Sequence, residues 1–361
     1  MCNFINKTRL ISNNSKGMYM KYFAIIILFG FLACSKYQDN KPNTIIQEGW
    51  SVSEDELVGS LDPFPLIIEP NLSNVSDILS LSDDASVAIV YFNDQVNIYP
   101  LSYIHRFEVI NDRINDKRFA ITFCPITQSV ICVNNEEQNS FLSLRASGIL
   151  YKENLVMYNE NSQSFWSQMY LLGIKGAFSN TELKSLSMFE TTWLVAKTFF
   201  PEAKVFYDER SIHNDKTIPK NERVFGVIEN LFSKKVYIYQ YSDFLNSTKI
   251  YYPESINKFI VVGNAELNYI AAFIINENNA FTPLQNSFPD IMEDSHGNTW
   301  NIFGIATKGP NAGDRLKTPF NYLASWWAWK SFYKQFEFID YHQIKKGYQM
   351  VALFKIKLIK Y

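Results

Sequence analysis

Three segments in the first half of this 361-residue chain recur, in the same order, in the second half. VAIVYFNDQVNIYPLS, from Val87 to Ser102, is echoed by VFGVIENLFSKKVYIYQYS, from Val224 to Ser242. NSQSFWSQMYLLGIKG, from Asn161 to Gly176, is echoed by HGNTWNIFGIATKG, from His296 to Gly309, with Trp166 set against Trp300. TTWLVAKTFFPEAKVF, from Thr191 to Phe206, is echoed by ASWWAWKSFYKQFEF, from Ala324 to Phe338. There Trp193 faces Trp326 and Lys197 faces Lys330. The offsets from Val87 to Val224, Trp166 to Trp300 and Trp193 to Trp326 are 137, 134 and 133 residues. So small a drift over three ordered matches predicts an internal duplication rather than one irregular domain. The expected units are 51–215 and 216–361, packed as one body.

Composition agrees with a folded, strand-rich interior. Hydrophobic residues make up 47%, charged residues 19% and aromatics 16%, with 29 Phe and 21 Tyr. That mix is neither disordered nor fibrous, and large aromatics favour strands. The net charge of -2 excludes a globally basic nucleic-acid binder, so no nucleic-acid partner is expected.

Residues 22–33 read YFAIIILFGFLA. This run of 12 is too short to span a bilayer, which takes about 20 residues. Lys16 and Lys21 precede it, and the first acidic residue is Asp39. A basic region before a short apolar run is a signal-peptide layout, assigned to 1–33. Ala33 directly before Cys34 resembles the lipobox of bacterial lipoproteins, although Phe31 is less usual than Leu at its first position. That resemblance implies that Cys34 is lipidated and becomes the mature N-terminus. Residues 34–50 are polar and unpatterned, and read as a tether. The expected location is the bacterial cell envelope, with the membrane reached through the N-terminal lipid.

Hydrophobic patterning predicts a β-dominated α+β fold with few helices. Val87–Phe92 and Val96–Pro100 read as a hairpin about Asn93-Asp94-Gln95. Arg118–Phe123 and Val130–Val133 read as a second pair. Ser140–Leu144, Leu155–Asn159, Ser164–Trp166, Lys235–Gln240, Phe259–Gly263 and Tyr269–Ile275 read as further strands. Helices are expected over Asn74–Leu81, Glu190–Phe199 and Tyr322–Phe332.

The stretch from Ile98 to Gln168 carries a run of ordered motifs. Tyr99-Pro100-Leu101 is followed by Glu108, Asn111 and Asp112, then by Thr122, Cys124 and Pro125. Ser147, Gly148, Leu150, Tyr151, Met157, Tyr158, Ser164, Trp166, Ser167 and Gln168 complete it. Together these resemble a prokaryotic family catalogued as domain of unknown function 3179. The family's usual histidine before the glutamate falls on Phe107, and its glycine after Cys-Pro falls on Gln128. The resemblance implies no activity.

Cys124 is the most chemical of these side chains. It ends an apolar run directly before a proline, which cannot continue a central strand, and strand ends often carry sites. A cysteine there could be a nucleophile, a redox thiol, a soft-metal ligand or simply a small buried hydrophobe. Cys132 lies within reach of a hairpin disulfide if the Cα atoms approach within about 7 Å. Glu108 and Asp112, spaced i, i+4, would share a helix face and, with Asn111, could join Cys124 in a ligand site. Cys124 with Glu108 could hold a metal ion. His105, with no spaced partner, is a weak addition. Tyr158, Trp166 and Gln168 could line a pocket, or serve the core in both halves alike. No GxSxG, HExxH, CxxC, P-loop or GxGxxG occurs. The leading expectation is small-ligand or metal binding centred on Cys124. The alternatives are a thiol-dependent enzyme or redox protein, and a structural lipoprotein whose small-molecule or protein partner the sequence does not name.

Overall fold

Asn93 and Asp94 both take positive φ, 46° and 63°, as a two-residue type I′ hairpin requires. They join strands Ser86–Phe92 and Gln95–Pro100, paired from Val87↔Pro100 to Phe92↔Gln95. Around this hairpin the computed structural model builds the first of several sheets. It describes residues 49–137, 140–210, 222–229 and 234–338. The signal segment, Cys34, most of the tether and the boundary expected at 215–216 lie outside the described residues.

Strand Met188–Thr192 pairs antiparallel with Ser86–Phe92, and Lys204–Phe206 runs parallel to Gln95–Pro100. The second half repeats this order and these directions. Phe320–Ser325 is antiparallel to Arg223–Ile228, which is antiparallel to Lys235–Tyr239, which is parallel to Gln335–Phe338. In each half a seven-residue helix, Trp193–Phe199 or Trp326–Phe332, leads from the antiparallel edge strand to the parallel one. A three-stranded sheet follows in each half: Val109–Ile114, Lys117–Cys124 and Ser129–Val133, then Lys249–Tyr251, Phe259–Asn264 and Tyr269–Ile274. A meander comes next: Arg145–Tyr151, Asn154–Asn159, Ser164–Ser167 and Leu172–Lys175 in the first half. Its second-half match is Phe281–Pro283, Asp290–Asp294, Thr299–Asn301 and Ala306–Lys308. Even the irregularities recur. The register shifts between Phe165 and Trp166 in one meander and between Thr299 and Trp300 in the other.

The described chain is therefore β-dominated, with three short α-helices, as patterning predicts. Two expected helices start late. Residues before Trp193 and Trp326 are strand, because Phe189, Thr191, Thr192 and Tyr322 are aromatic or β-branched and pair across a sheet. Thr192 then caps its helix by accepting from the Val195 N–H at 3.4 Å. The third, over Asn74–Leu81, shrinks to a 3₁₀ turn at Val75–Asp77, closed by an Asn74–Asp77 capping box. No described helix is long and apolar enough to cross a membrane.

The cores are crossed between halves. Val87, Ile89 and Phe189 of the first main sheet share a cluster with Val262, Met292 and Trp300 of the second half. Reciprocally, Val224, Ile228 and Trp329 share a cluster with Met157, Trp166 and Met169 of the first half. Polar contacts cross as well. The Thr191 hydroxyl donates to the Leu267 carbonyl at 2.7 Å, and the Ser325 N–H donates to the Thr127 carbonyl at 2.9 Å.

Two local features hold this arrangement. Gly226 sits under Trp329, where a Cβ would lie 2.3 Å from the indole ring. The ring stacks on Tyr322 with centroids 4.3 Å apart. At the equivalent first-half positions, read from the strand registers and helix starts, stand Ile89 and Ala196. Space is given by the strand in one half and by the helix in the other. The second feature is a buried bidentate pair. Arg223 donates through Nη1 and Nη2 to the two Glu190 carboxylate oxygens at 2.8 and 2.7 Å. Both side chains are about as dry as core leucines, at 6% and 4% exposed.

Arg223→Met should strand a buried carboxylate and cost about 3–5 kcal/mol, whereas Arg223→Met with Glu190→Leu should recover most of that loss. Urea unfolding of the two variants, followed by tryptophan fluorescence, measures both.

Candidate functional site

Strand Lys117–Cys124 stops where Pro125 removes the next N–H. The chain turns through Pro125-Ile126-Thr127-Gln128, with Gln128 at φ 53°, and returns at Ser129 opposite Cys124. This places the thiol at the base of a tight turn. Cys124 is 1% exposed, and its Sγ donates to the Glu153 carbonyl at 3.9 Å. Burial pushes the thiol up and outweighs the Thr127 hydroxyl and the Thr127 and Leu155 N–H groups, which hydrogen-bond to the sulfur; nearby Glu108 pushes the same way as burial.

Glu108 closes the turn that follows the short helix Leu101–Ile104. Its N–H donates to the Ile104 carbonyl at 2.8 Å, and it takes φ 58°, a conformation that disfavours most non-glycine residues. Its carbonyl accepts from the Phe123 N–H at 2.8 Å, which fixes it beside the end of the Cys124 strand. Its carboxyl has no hydrogen-bond or ion-pair partner among the described residues. Burial alone pushes it up to about 7. The result is a carboxyl poised to change charge near neutral pH, next to a thiol in a dry setting.

Asn111 and Asp112 do not join them. Val109–Ile114 is a strand, so the expected shared helix face does not exist. Four residues along a strand span about 13 Å, which separates Asp112 from Glu108. Asn111 and Asp112 point to opposite faces. Asn111 is wholly buried and saturated. It donates to the carbonyls of Ile67 and Leu144 at 2.8 and 2.7 Å, and accepts from the Leu144 N–H at 2.9 Å and Asn135 Nδ2 at 3.1 Å. It therefore staples two loops to the strand. Asp112 accepts from the Tyr99 hydroxyl at 2.6 Å and from the Arg113 N–H at 2.7 Å. Burial raises its carboxyl.

Tyr158 and Trp166 are core residues, 3% and 1% exposed. Their rings pack on Phe165 and Phe178, at 4.7 and 5.6 Å. Gln168 is buried too, yet it belongs near Cys124. Its Oε1 accepts from the Ser129 hydroxyl at 2.6 Å and from Asn154 Nδ2 at 2.8 Å. Its Nε2 donates to the Thr122 hydroxyl at 2.8 Å. Asn154 Nδ2 also donates to the Thr127 hydroxyl oxygen at 2.9 Å. Thr122, Thr127, Ser129, Asn154 and Gln168 thus form one satisfied, buried polar cluster behind the Cys124 turn. Of these five the sequence offers Gln168 as a site candidate and Thr122 only as a motif residue. Isolated hydroxyls in the apolar run FAITFCPITQSVICV are the signal for Thr122, Thr127 and Ser129, and nothing in that run marks Asn154. These five side chains are not repeated in the second half, whose equivalent turn has a different polar set, with Asn264 Nδ2 donating to the Thr248 hydroxyl oxygen at 3.2 Å. In the second half Val262, Asn264, Leu267 and Tyr269 occupy the places of Thr122, Cys124, Thr127 and Ser129.

Cys132 does not pair with Cys124. It sits opposite Ile121 and belongs to the other core cluster, so both thiols are free. His105 is exposed, with its ring 6.2 Å from that of Phe123. Among the described residues no group of three or more His, Cys, Asp or Glu is gathered for a metal. A metal at Cys124 and Glu108 would have two protein donors.

Glycine at position 148 shows why the motif around it tolerates little change. Gly148 takes φ 82° in a bulge, and a Cβ there would lie 2.7 Å from the Asp62 carbonyl oxygen.

These motifs fall within residues 61–213, which match the family model described as Protein of unknown function (DUF3179). Over those residues, less than half of its length, the chain is similar to that family, as the motifs suggest. No curated protein and no solved structure matches it.

Glu108 is neutral when folded over a range where it would be ionised when unfolded. Its contribution is complete below the ordinary carboxyl range and is lost as pH rises through about 7. Glu108→Gln should therefore match the wild type near pH 4. It should exceed the wild type above pH 7, by on the order of 3 kcal/mol. Parallel urea titrations across this range test the sign. The two cysteines should both be free in protein made in an oxidising compartment and should resist alkylation until unfolding, as intact mass after native and denatured labelling will read.

Proposed function

We propose that this chain is a lipid-anchored envelope protein whose first half binds a small ligand at Glu108, with Cys124 behind it. The observation that carries the site is the Glu108 carboxyl: half-buried, held in an unfavourable backbone conformation and without a protein partner among the described residues. A ligand that brings a hydrogen-bond donor or positive charge would satisfy it. The neighbouring polar cluster supports this reading, because it ties the Cys124 turn to Asn154 and Gln168 with side chains the second half does not repeat. The thiol-dependent enzyme is the weaker reading. A reactive thiolate needs a lowered pKa, and here burial and a carboxyl raise it. A metal ion remains a form of the ligand in which Cys124 and Glu108 would be donors alongside groups the protein does not supply.

The anchor rests on the basic segment, the short apolar run and Ala33-Cys34. The two halves are read as copies of one duplicated unit. The shared strand order, the matching register shifts and the near-constant sequence offset support that reading.

The test is to purify the full chain from membranes and record native and denatured mass together with metal content. A small molecule or ion should accompany the wild type and be absent from Glu108→Gln, and the N-terminal peptide should begin at an acylated Cys34. An empty wild-type protein, indistinguishable from the variant, sinks the site. An unmodified Cys34 sinks the anchor independently.

A further inference from the structure

The crossed packing makes two equivalent junctions between the halves, and they are filled differently. At one, Phe200, the residue after helix Trp193–Phe199, meets Phe303 with ring centroids 5.5 Å apart. At the other, Tyr333, the residue after helix Trp326–Phe332, meets Tyr170 at 6.1 Å. The bridges Ile305↔Arg315 and Leu172↔Glu182 extend the match, and the positive-φ turn residues Asp94 and Lys234 complete it.

The first junction is packed shut. Phe303 is 4% exposed and lies against Tyr91, Phe189 and Phe200. Its polar ends are used internally: Arg315 lies over the Tyr91 ring, and the Tyr91 hydroxyl donates to Asp94. The second junction instead leaves a partly open cavity of about 430 Å³. Tyr151, Tyr170 and Tyr333 line it. Their hydroxyls are already committed, to Glu56 at 3.1 Å, the Phe332 carbonyl at 3.2 Å and the Met169 carbonyl at 2.9 Å. What the tyrosines offer a ligand is ring surface. Lys234, whose Nζ lies 4.8 Å over the Tyr170 ring, and Glu182 stand where the closed junction has Asp94 and Arg315. Asn180 and Ser51 add an amide and a hydroxyl to the lining.

We propose that this cavity is a saccharide-binding site for one or two sugar rings, separate from the Glu108 site. Its volume lies in the small-ligand range of about 300–1,000 Å³. One ammonium and one carboxylate leave it without net charge, so an ion of either sign would meet a like charge. A polyol can accept from Lys234 and donate to Glu182 while its C–H face lies on a tyrosine. The closed twin shows that the fold does not need the space.

The test is saturation-transfer NMR and calorimetry on the full chain, using N-acetylglucosamine, chitobiose, maltose and cellobiose, with glycylglycine as a zwitterionic control. At least one sugar should bind. Lys234→Gln and Glu182→Gln, both exposed positions, should each weaken it by about tenfold or more while melting within a few degrees of the wild type. Glu108→Gln should leave sugar binding unchanged, which separates this site from the other. The proposal is overturned if no sugar binds at millimolar concentration, if only glycylglycine binds, or if both Gln variants bind as the wild type does.

Discussion

The Arg223–Glu190 pair joins the two halves through two short charge-assisted hydrogen bonds in a dry environment. A buried ion pair gains little over well-packed apolar groups, but it tolerates very little displacement of either partner. Glu190 lies on the edge strand of the first main sheet, and Arg223 opens the central hairpin of the second. The pair therefore sets the register of one half on the other. Each main sheet places one face on its own three-stranded sheet and shares a core with the meander of the opposite half. Neither half can cover its apolar surface by itself, so the ion pair fixes a geometry that burial has already made obligatory.

The same reciprocity explains where chemistry can sit. Positions that serve the fold are repeated, and the polar cluster behind Cys124 is not. Asn264 takes the place of Cys124 and uses its side-chain oxygen to cap its own turn, accepting from the N–H groups of Glu266 and Leu267 at 2.9 and 3.0 Å. There an amide oxygen accepts within its own turn; here the Cys124 thiol donates across to the Glu153 carbonyl, and the neighbouring hydroxyls and amides bond to one another.

Much of the strand layout was legible because it depends on local chemistry. Asn93-Asp94 must turn, Pro125 must stop a strand, and aromatic runs must pair. The helix starts were less legible: Phe189 to Thr192 fits either state, and only pairing with Ser86–Phe92 decides it. The site was legible in type but not in arrangement. The Glu108 backbone does lie beside the end of the Cys124 strand. Asn111 could not be recognised as a staple, because its partners Ile67, Leu144 and Asn135 arrive across loops that no local pattern specifies. The tyrosine cavity was invisible for the same reason, since its walls come from both halves.

Gly226 under Trp329, with Ile89 and Ala196 at the matching positions, has a consequence for how this chain can change. Each half solves the same volume equation with the terms exchanged. A single step from one solution towards the other either drives a methyl group into an indole or leaves a hole the size of one. The two halves are thus held apart by a steric barrier, and sequence can pass between them only by paired substitution. Changing one of these positions without its partner would therefore cost the packing of that half.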